Sequence, residues 1–171
     1  MTLWFTGLSG AGKSTLARSV QAELEKRGRT TMLLDGDEVR ALSPGLGYSR
    51  EDRAAQAARV AARCVDLARS EIIALASLIS PYRADRDAAR ATIGSFMEIY
   101  VRCPLSALIQ RDARGLYRRA LAGEIEHFTG ISDPYEPPLH PELIVETSAT
   151  PPEQSAAEVI AFVLRSLDIA G

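Results

Sequence analysis

Asparagine is absent from this chain of 171 residues, and lysine occurs only twice, at Lys13 and Lys26. The remaining basic groups are arginines, and 22 acidic side chains nearly cancel 20 basic ones for a formal net charge of −2. General nucleic-acid binders carry a basic excess, so its absence argues against that class. Cysteine and histidine are equally scarce. Cys64 and Cys103 lie far apart with no CxxC spacing, and His127 and His140 are the only imidazoles. That pattern offers no zinc site and predicts buried thiols in a reducing compartment. Long apolar runs are missing too: the longest, Ile72 to Ile79, is interrupted by Ser77 and is too short to span a bilayer. The opening residues reach Trp4-Phe5-Thr6-Gly7 without a basic segment and signal-length apolar stretch, so a cytoplasmic protein with no membrane partner is the expectation.

Hydrophobic residues make up 46% and charged residues 25% of the chain, which is globular usage at a length suited to one domain with a real core. Strands are expected over Thr2–Thr6, Thr30–Leu34, Ile72–Ile79, Met97–Val101 and Leu143–Glu146. Helices are expected over Lys13–Arg27, from Ser49 to about Ser70, over Tyr82–Ser95, Leu105–Arg111 and Gly115–Ala122, and from Thr150-Pro151-Pro152-Glu153 through Leu167. Leu16, Val20 and Leu24 recur every four residues, Gly28 stops the first helix, and Ser49 with Asp52 forms a capping pattern. Strands alternating with helices at this spacing predict one α/β domain over 1–171, with a mostly parallel central sheet covered by helices on both faces. Residues 123–140 hold three prolines and form a loop long enough to carry function.

Gly7-Leu8-Ser9-Gly10-Ala11-Gly12-Lys13-Ser14 satisfies GxxxxGK[ST] at every position, between a predicted strand and a predicted helix. Glycines let successive backbone N–H groups point at phosphate oxygens, and the helix N-terminus adds partial positive charge. Lys13 would reach the β- and γ-phosphates, and the Ser14 hydroxyl would ligate Mg²⁺. Residues Gly7 through Thr15 are therefore the candidate ATP-binding stretch. An NTPase usually carries a carboxylate at the end of a buried strand, but the Ile72–Ile79 run ends in Ser80. The acidic residues nearest a strand end are Asp35 and Asp37, which could both face bound phosphates. Asp37 could accept a proton from an attacking hydroxyl or hold Mg²⁺ through water. The alternative is that these residues are helix N-caps and turn formers.

Five blocks then carry a family resemblance: LWFTGLSGAGKSTLA, LLDGDEVR, GLGYSREDR, ISPYRADRDAAR and RGLYRRALAGEIEHFTGISDPYEPP. Together, from Thr2 to about Leu143, they resemble the adenylylsulfate (APS) kinases, with a three-layer P-loop kinase fold. The resemblance implies Mg²⁺-dependent transfer of the ATP γ-phosphate to the 3′-hydroxyl of adenosine 5′-phosphosulfate in sulfate assimilation. It gives Asp37 the role of base or metal-linked carboxylate, with Lys13 and Ser80 in the catalytic set and Ser14 beside Asp37 at the metal. Arg40 and Arg53 would hold the phosphosulfate, where guanidinium forks suit a dianion. Tyr48 and Phe128 would sandwich the acceptor adenine, and the backbone of Ile79 and Ser80 would line the same pocket. Ser80 is read as a hydrogen-bond donor in a direct in-line transfer. A mobile lid over about 112–140 would bring Arg114 to phosphate and exclude water. A homodimer, and association or fusion with a sulfate adenylyltransferase, are further expectations of the resemblance.

The chain departs from the family pattern at four positions. Glu38 stands in place of the Asn of DGDN, Gln56 in place of Asn, Arg114 in place of Lys and Tyr48 in place of Phe. The absence of asparagine and the scarcity of lysine supply a bland explanation for the first three. Two other readings remain open at this stage: a non-catalytic nucleotide-sensing domain of the same fold, and a small-molecule kinase with another alcohol acceptor.

Overall fold

A computed structural model of the chain describes residues 1–42, 45–112 and 114–169. Five strands, β1 (Thr2–Thr6), β2 (Thr31–Asp35), β3 (Ile73–Ser77), β4 (Phe96–Arg102) and β5 (Leu143–Glu146), form one sheet in the order β2-β3-β1-β4-β5. All of its pairings are parallel. The apolar runs of β1 and β3 are buried along their whole length, as central strands of a parallel sheet require.

The helices are α1 (Lys13–Lys26), α2 (Gly36–Ala41), α3 (Arg50–Arg69), α4 (Arg83–Ile93), α5 (Leu105–Arg111), α6 (Leu116–Leu121) and α7 (Pro152–Ile169). Alternate residues of β1 divide between two cores. Leu3 and Phe5 pack with Leu16, Val20 and Leu24 of α1 and Val159 and Val163 of α7. Trp4 packs on the other face with Val60, Cys64 and Leu67 of α3 and Ala89 of α4. Three layers result. Among the described residues no helix is long and apolar enough to cross a membrane.

Local signals account for most boundaries. Gly28 takes φ +75 beyond α1, and the Arg29 N–H returns to the Leu24 carbonyl to close the last turn. Ser49 and Asp52 form a reciprocal capping box at the start of α3. α2 is not foreshadowed by apolar periodicity. It is six residues long and starts because the Asp35 carboxylate accepts from the Asp37 N–H. The expected strand over Ile72–Ile79 is shorter than predicted. After Ser77 the Leu78 N–H still donates to the Phe5 carbonyl, and then Ser80 turns the chain off the sheet at φ +38. Ile79 and Ser80 are thereby released at the carboxyl edge, where the loops after β1 and β2 also emerge.

Candidate active site

The loop between β1 and α1 passes too close to β4 for a side chain at its first position: a Cβ on Gly7 would lie 2.4 Å from the Val101 carbonyl oxygen. Gly10 and Gly12 also take positive φ, which wraps the backbone ahead of α1. Lys13 is 8% exposed, and its Nζ donates to the Leu8 carbonyl at 2.8 Å. Burial lowers its pKa from 10.5 to about 8, against the raising effect of Asp37 and Asp35. The Ser14 hydroxyl donates to Asp35 Oδ2 at 2.5 Å, so the Ser77 hydroxyl, 3.1 Å away, donates to Ser14 Oγ. The β2–β3 register pairs Asp35 with Ser77, which places both next to Ser14. These are hard oxygen donors, suited to a Mg²⁺ ion that keeps most of its ligands from water and substrate phosphates. Among the described residues there is no cluster of three or more His, Cys, Asp or Glu side chains able to hold a metal by itself.

The other half of the site gathers α2, the start of α3 and the turn after β3. Arg40 lies with its guanidinium 4.4 Å from the centre of the Tyr48 ring, and donates to the Gly47 carbonyl and to Gln56 Oε1. Arg53 is buried. It donates to the Tyr48 carbonyl at 3.0 Å and to the His127 carbonyl at 2.6 Å. Two guanidinium groups thus flank one aromatic ring. Between this cluster and the phosphate loop stands Asp37, exposed and paired with Arg114 at 3.3 Å. The Ser80 hydroxyl points inward: it accepts from Trp4 Nε1 at 3.1 Å and donates to Thr6 Oγ1 at 3.1 Å. Its left-handed backbone costs roughly 1–3 kcal/mol, a strain that the surrounding bonds must hold in place.

One cavity of about 230 Å³ joins the two halves. It is lined by Ser9, Gly10, Gly12, Lys13, Ser14 and Thr15 from the loop and by Asp37, Arg40, Tyr48, Arg53, Ile79, Ser80 and Arg114 from the other side. The family model described as Adenylylsulphate kinase matches residues 1–146. The chain belongs to the adenylylsulphate kinase family. The Adenylyl-sulfate kinase of Halothermothrix orenii is 49% identical over 164 residues, covering 95% of this chain and 89% of that one. The "Probable bifunctional SAT/APS kinase 2" of Sorangium cellulosum is 51% identical over 160 residues, 93% of this chain but 28% of the relative. The structure of the Mycobacterium tuberculosis APS kinase CysC in complex with AMPPNP and APS superposes with a TM-score of 0.90 at 39% identity, covering 95% of this chain and 96% of that one.

Not every family position converges on the cavity. Gly7, Leu8 and Ala11 shape the loop from outside the lining. Phe128, expected opposite Tyr48, is also outside it: its ring meets Tyr117 edge-on at 5.0 Å, and the Tyr117 hydroxyl donates to the Ser9 carbonyl at 2.7 Å. Arg40, rather than Phe128, lies near the face of the Tyr48 ring. Asp35 is the carboxylate that touches Ser14, whereas the resemblance sets Asp37 beside Ser14 at the metal. Gln56 is not idle. Its amide donates to the Gly36 carbonyl at 2.7 Å while its oxygen takes Arg40, so its extra methylene bridges α3 to the start of α2.

Proposed function

We propose that this family member is an adenylylsulfate kinase that transfers the γ-phosphate of ATP to the 3′-hydroxyl of adenosine 5′-phosphosulfate, giving 3′-phosphoadenylylsulfate and ADP. The observation that carries the reading is one cavity lined jointly by phosphate-loop residues, Asp37 and the Arg40–Tyr48–Arg53 cluster. In this reading the loop N–H groups and Lys13 hold the β- and γ-phosphates. Arg40 and Arg53 hold the acceptor's phosphosulfate, and Ile79 and Ser80 form the wall against its nucleoside. The acceptor oxygen bonds to the γ-phosphorus as the bond to the bridging β–γ oxygen breaks. Asp37 takes the hydroxyl proton and releases it to solvent. Ser14, with Asp35 and Asp37 through water, would hold Mg²⁺, which neutralises charge on the phosphates when bound. Arg114, at the start of the 112–140 lid, would exchange Asp37 for phosphate on closure.

The same reading treats 1–171 as one domain and includes a homodimer, association or fusion with a sulfate adenylyltransferase, and a cytoplasmic location. Of these, fusion has support in the bifunctional name of the Sorangium relative, of which this chain spans 28%. A coupled ADP-release assay with ATP and Mg²⁺, with and without APS, tests the activity. APS-dependent turnover is expected. Its absence overturns the reading, and turnover with an unrelated alcohol alone would assign a different acceptor.

A further inference from the structure

Arg86, on α4, is only 2% exposed yet lines no part of the cavity. Its guanidinium sits directly behind the Ile79–Ser80 wall and uses its donors in three directions. Nε donates to Glu98 Oε1 on β4 at 2.7 Å, Nη1 to the Ser80 carbonyl at 2.6 Å, and Nη2 to the Glu136 carbonyl at 2.7 Å. Two of these three acceptors are main-chain groups from segments remote in sequence. One belongs to the residue whose backbone is held at φ +38, and the other to the far part of the lid segment.

Further bonds make those two segments one block. The Glu136 N–H donates to the Pro81 carbonyl at 2.8 Å, and its carboxylate accepts from the Arg83 N–H at 2.8 Å. The Thr6 hydroxyl donates to the Ile79 carbonyl at 2.8 Å, so the Tyr135 hydroxyl, 3.0 Å away, donates to Thr6 Oγ1. None of the bonds made by the Arg86 guanidinium reaches residues 7–15 of the phosphate loop. A buried ion pair replaced by apolar groups of similar size is often no less stable, so stability alone does not require a charge here. Aiming two carbonyls at once does require a planar fork with several fixed donors.

We propose that Arg86, anchored by Glu98, is a positioning residue for acceptor binding: it fixes the Ile79–Ser80 wall and ties that wall to the Tyr135–Glu136 root of the lid. The proposal rests on the kinase reading above and deepens it. Loss of the fork frees the wall and the lid root together, and the ATP loop stays as it was.

Two variants test this by steady-state kinetics with ATP and APS varied separately, alongside thermal unfolding. Arg86→Lys keeps the charge and loses the fork. The double variant Arg86→Met/Glu98→Leu removes both members of the buried ion pair, and Arg90, which also faces Glu98 at 3.6 Å, keeps Glu142. In both, KM for APS is expected to rise by about tenfold or more, with KM for ATP unchanged to within about twofold, the loss of charge-assisted hydrogen bonds setting the scale. Unchanged KM for APS in either folded variant overturns the proposal, as does an equal rise in both KM values. Failure of both variants to fold would make Arg86 a stability residue and would also overturn it. The wild-type control separates the two levels: no APS-dependent turnover there overturns the kinase reading, whereas normal wild-type turnover with unaltered variants overturns only the role of Arg86.

Discussion

Asp35 and Asp37 lie two positions apart and meet different surroundings. Asp35 is 7% exposed and spends its oxygens on the Ser14 hydroxyl and the Asp37 N–H, whereas the Asp37 side chain is 77% exposed beside Arg114. The buried carboxylate holds the loop hydroxyl, and in the proposed reaction the exposed one, paired with Arg114, receives the proton. Asp37→Asn should therefore leave binding of ATP and APS intact by calorimetry while turnover falls by about 10²–10⁴-fold. Undiminished turnover would move the base elsewhere. Lys13 supplies a pH prediction. Burial holds it at about pH 8, and an anionic nucleotide favours its charged form. ATP affinity should be level below pH 8 and weaken as the pH rises past it, with proton uptake on binding visible as a buffer-dependent heat. For stability the sign is the reverse. Between pH 8 and 10.5 the unfolded chain holds more protons at this residue than the folded one, so its contribution makes stability rise with pH across that window.

At the level of elements, α3 begins where Ser49 and Asp52 exchange side-chain and backbone bonds, and this start sets Tyr48 and Arg53 on either side of the cap. Ser49→Ala should cost about 1 kcal/mol and lower Tm by roughly 2–4 °C, measured by thermal unfolding. The box was legible because a cap acts within one turn of chain. The same locality explains Gly28 and the phosphate loop, where a positive φ or a close approach selects glycine directly. Two features escaped for the opposite reason. α2 is too short to show a period and exists because Asp35 caps it at the sheet edge. The end of β3 at Ser77 is hidden because apolar residues resume after it, and what removes Ile79 and Ser80 from the sheet is a backbone turn held by Trp4, Thr6 and Arg86.

Over the whole molecule, the near-neutral net charge conceals a local concentration: Lys13, Arg40, Arg53 and Arg114 all line one cavity with Asp35 and Asp37. The sheet order brings this about, because β3 lies between β1 and β2 and so sets the loop after β1, the carboxylates after β2 and the turn after β3 along one edge. The alternating elements, the parallel α/β class, the phosphate loop, the caps and the family resemblance can all be read along the chain. Each is written in short-range periodicity, in backbone preference or in contiguous motifs. Folding in three dimensions set Asp35 rather than Asp37 against Ser14, turned Phe128 to Tyr117 and carried Gln56 across to Gly36. It also placed Arg86 against the Ser80 carbonyl. Those choices join residues far apart along the chain, where the packing of non-adjacent strands and the need to satisfy buried polar groups select the partner.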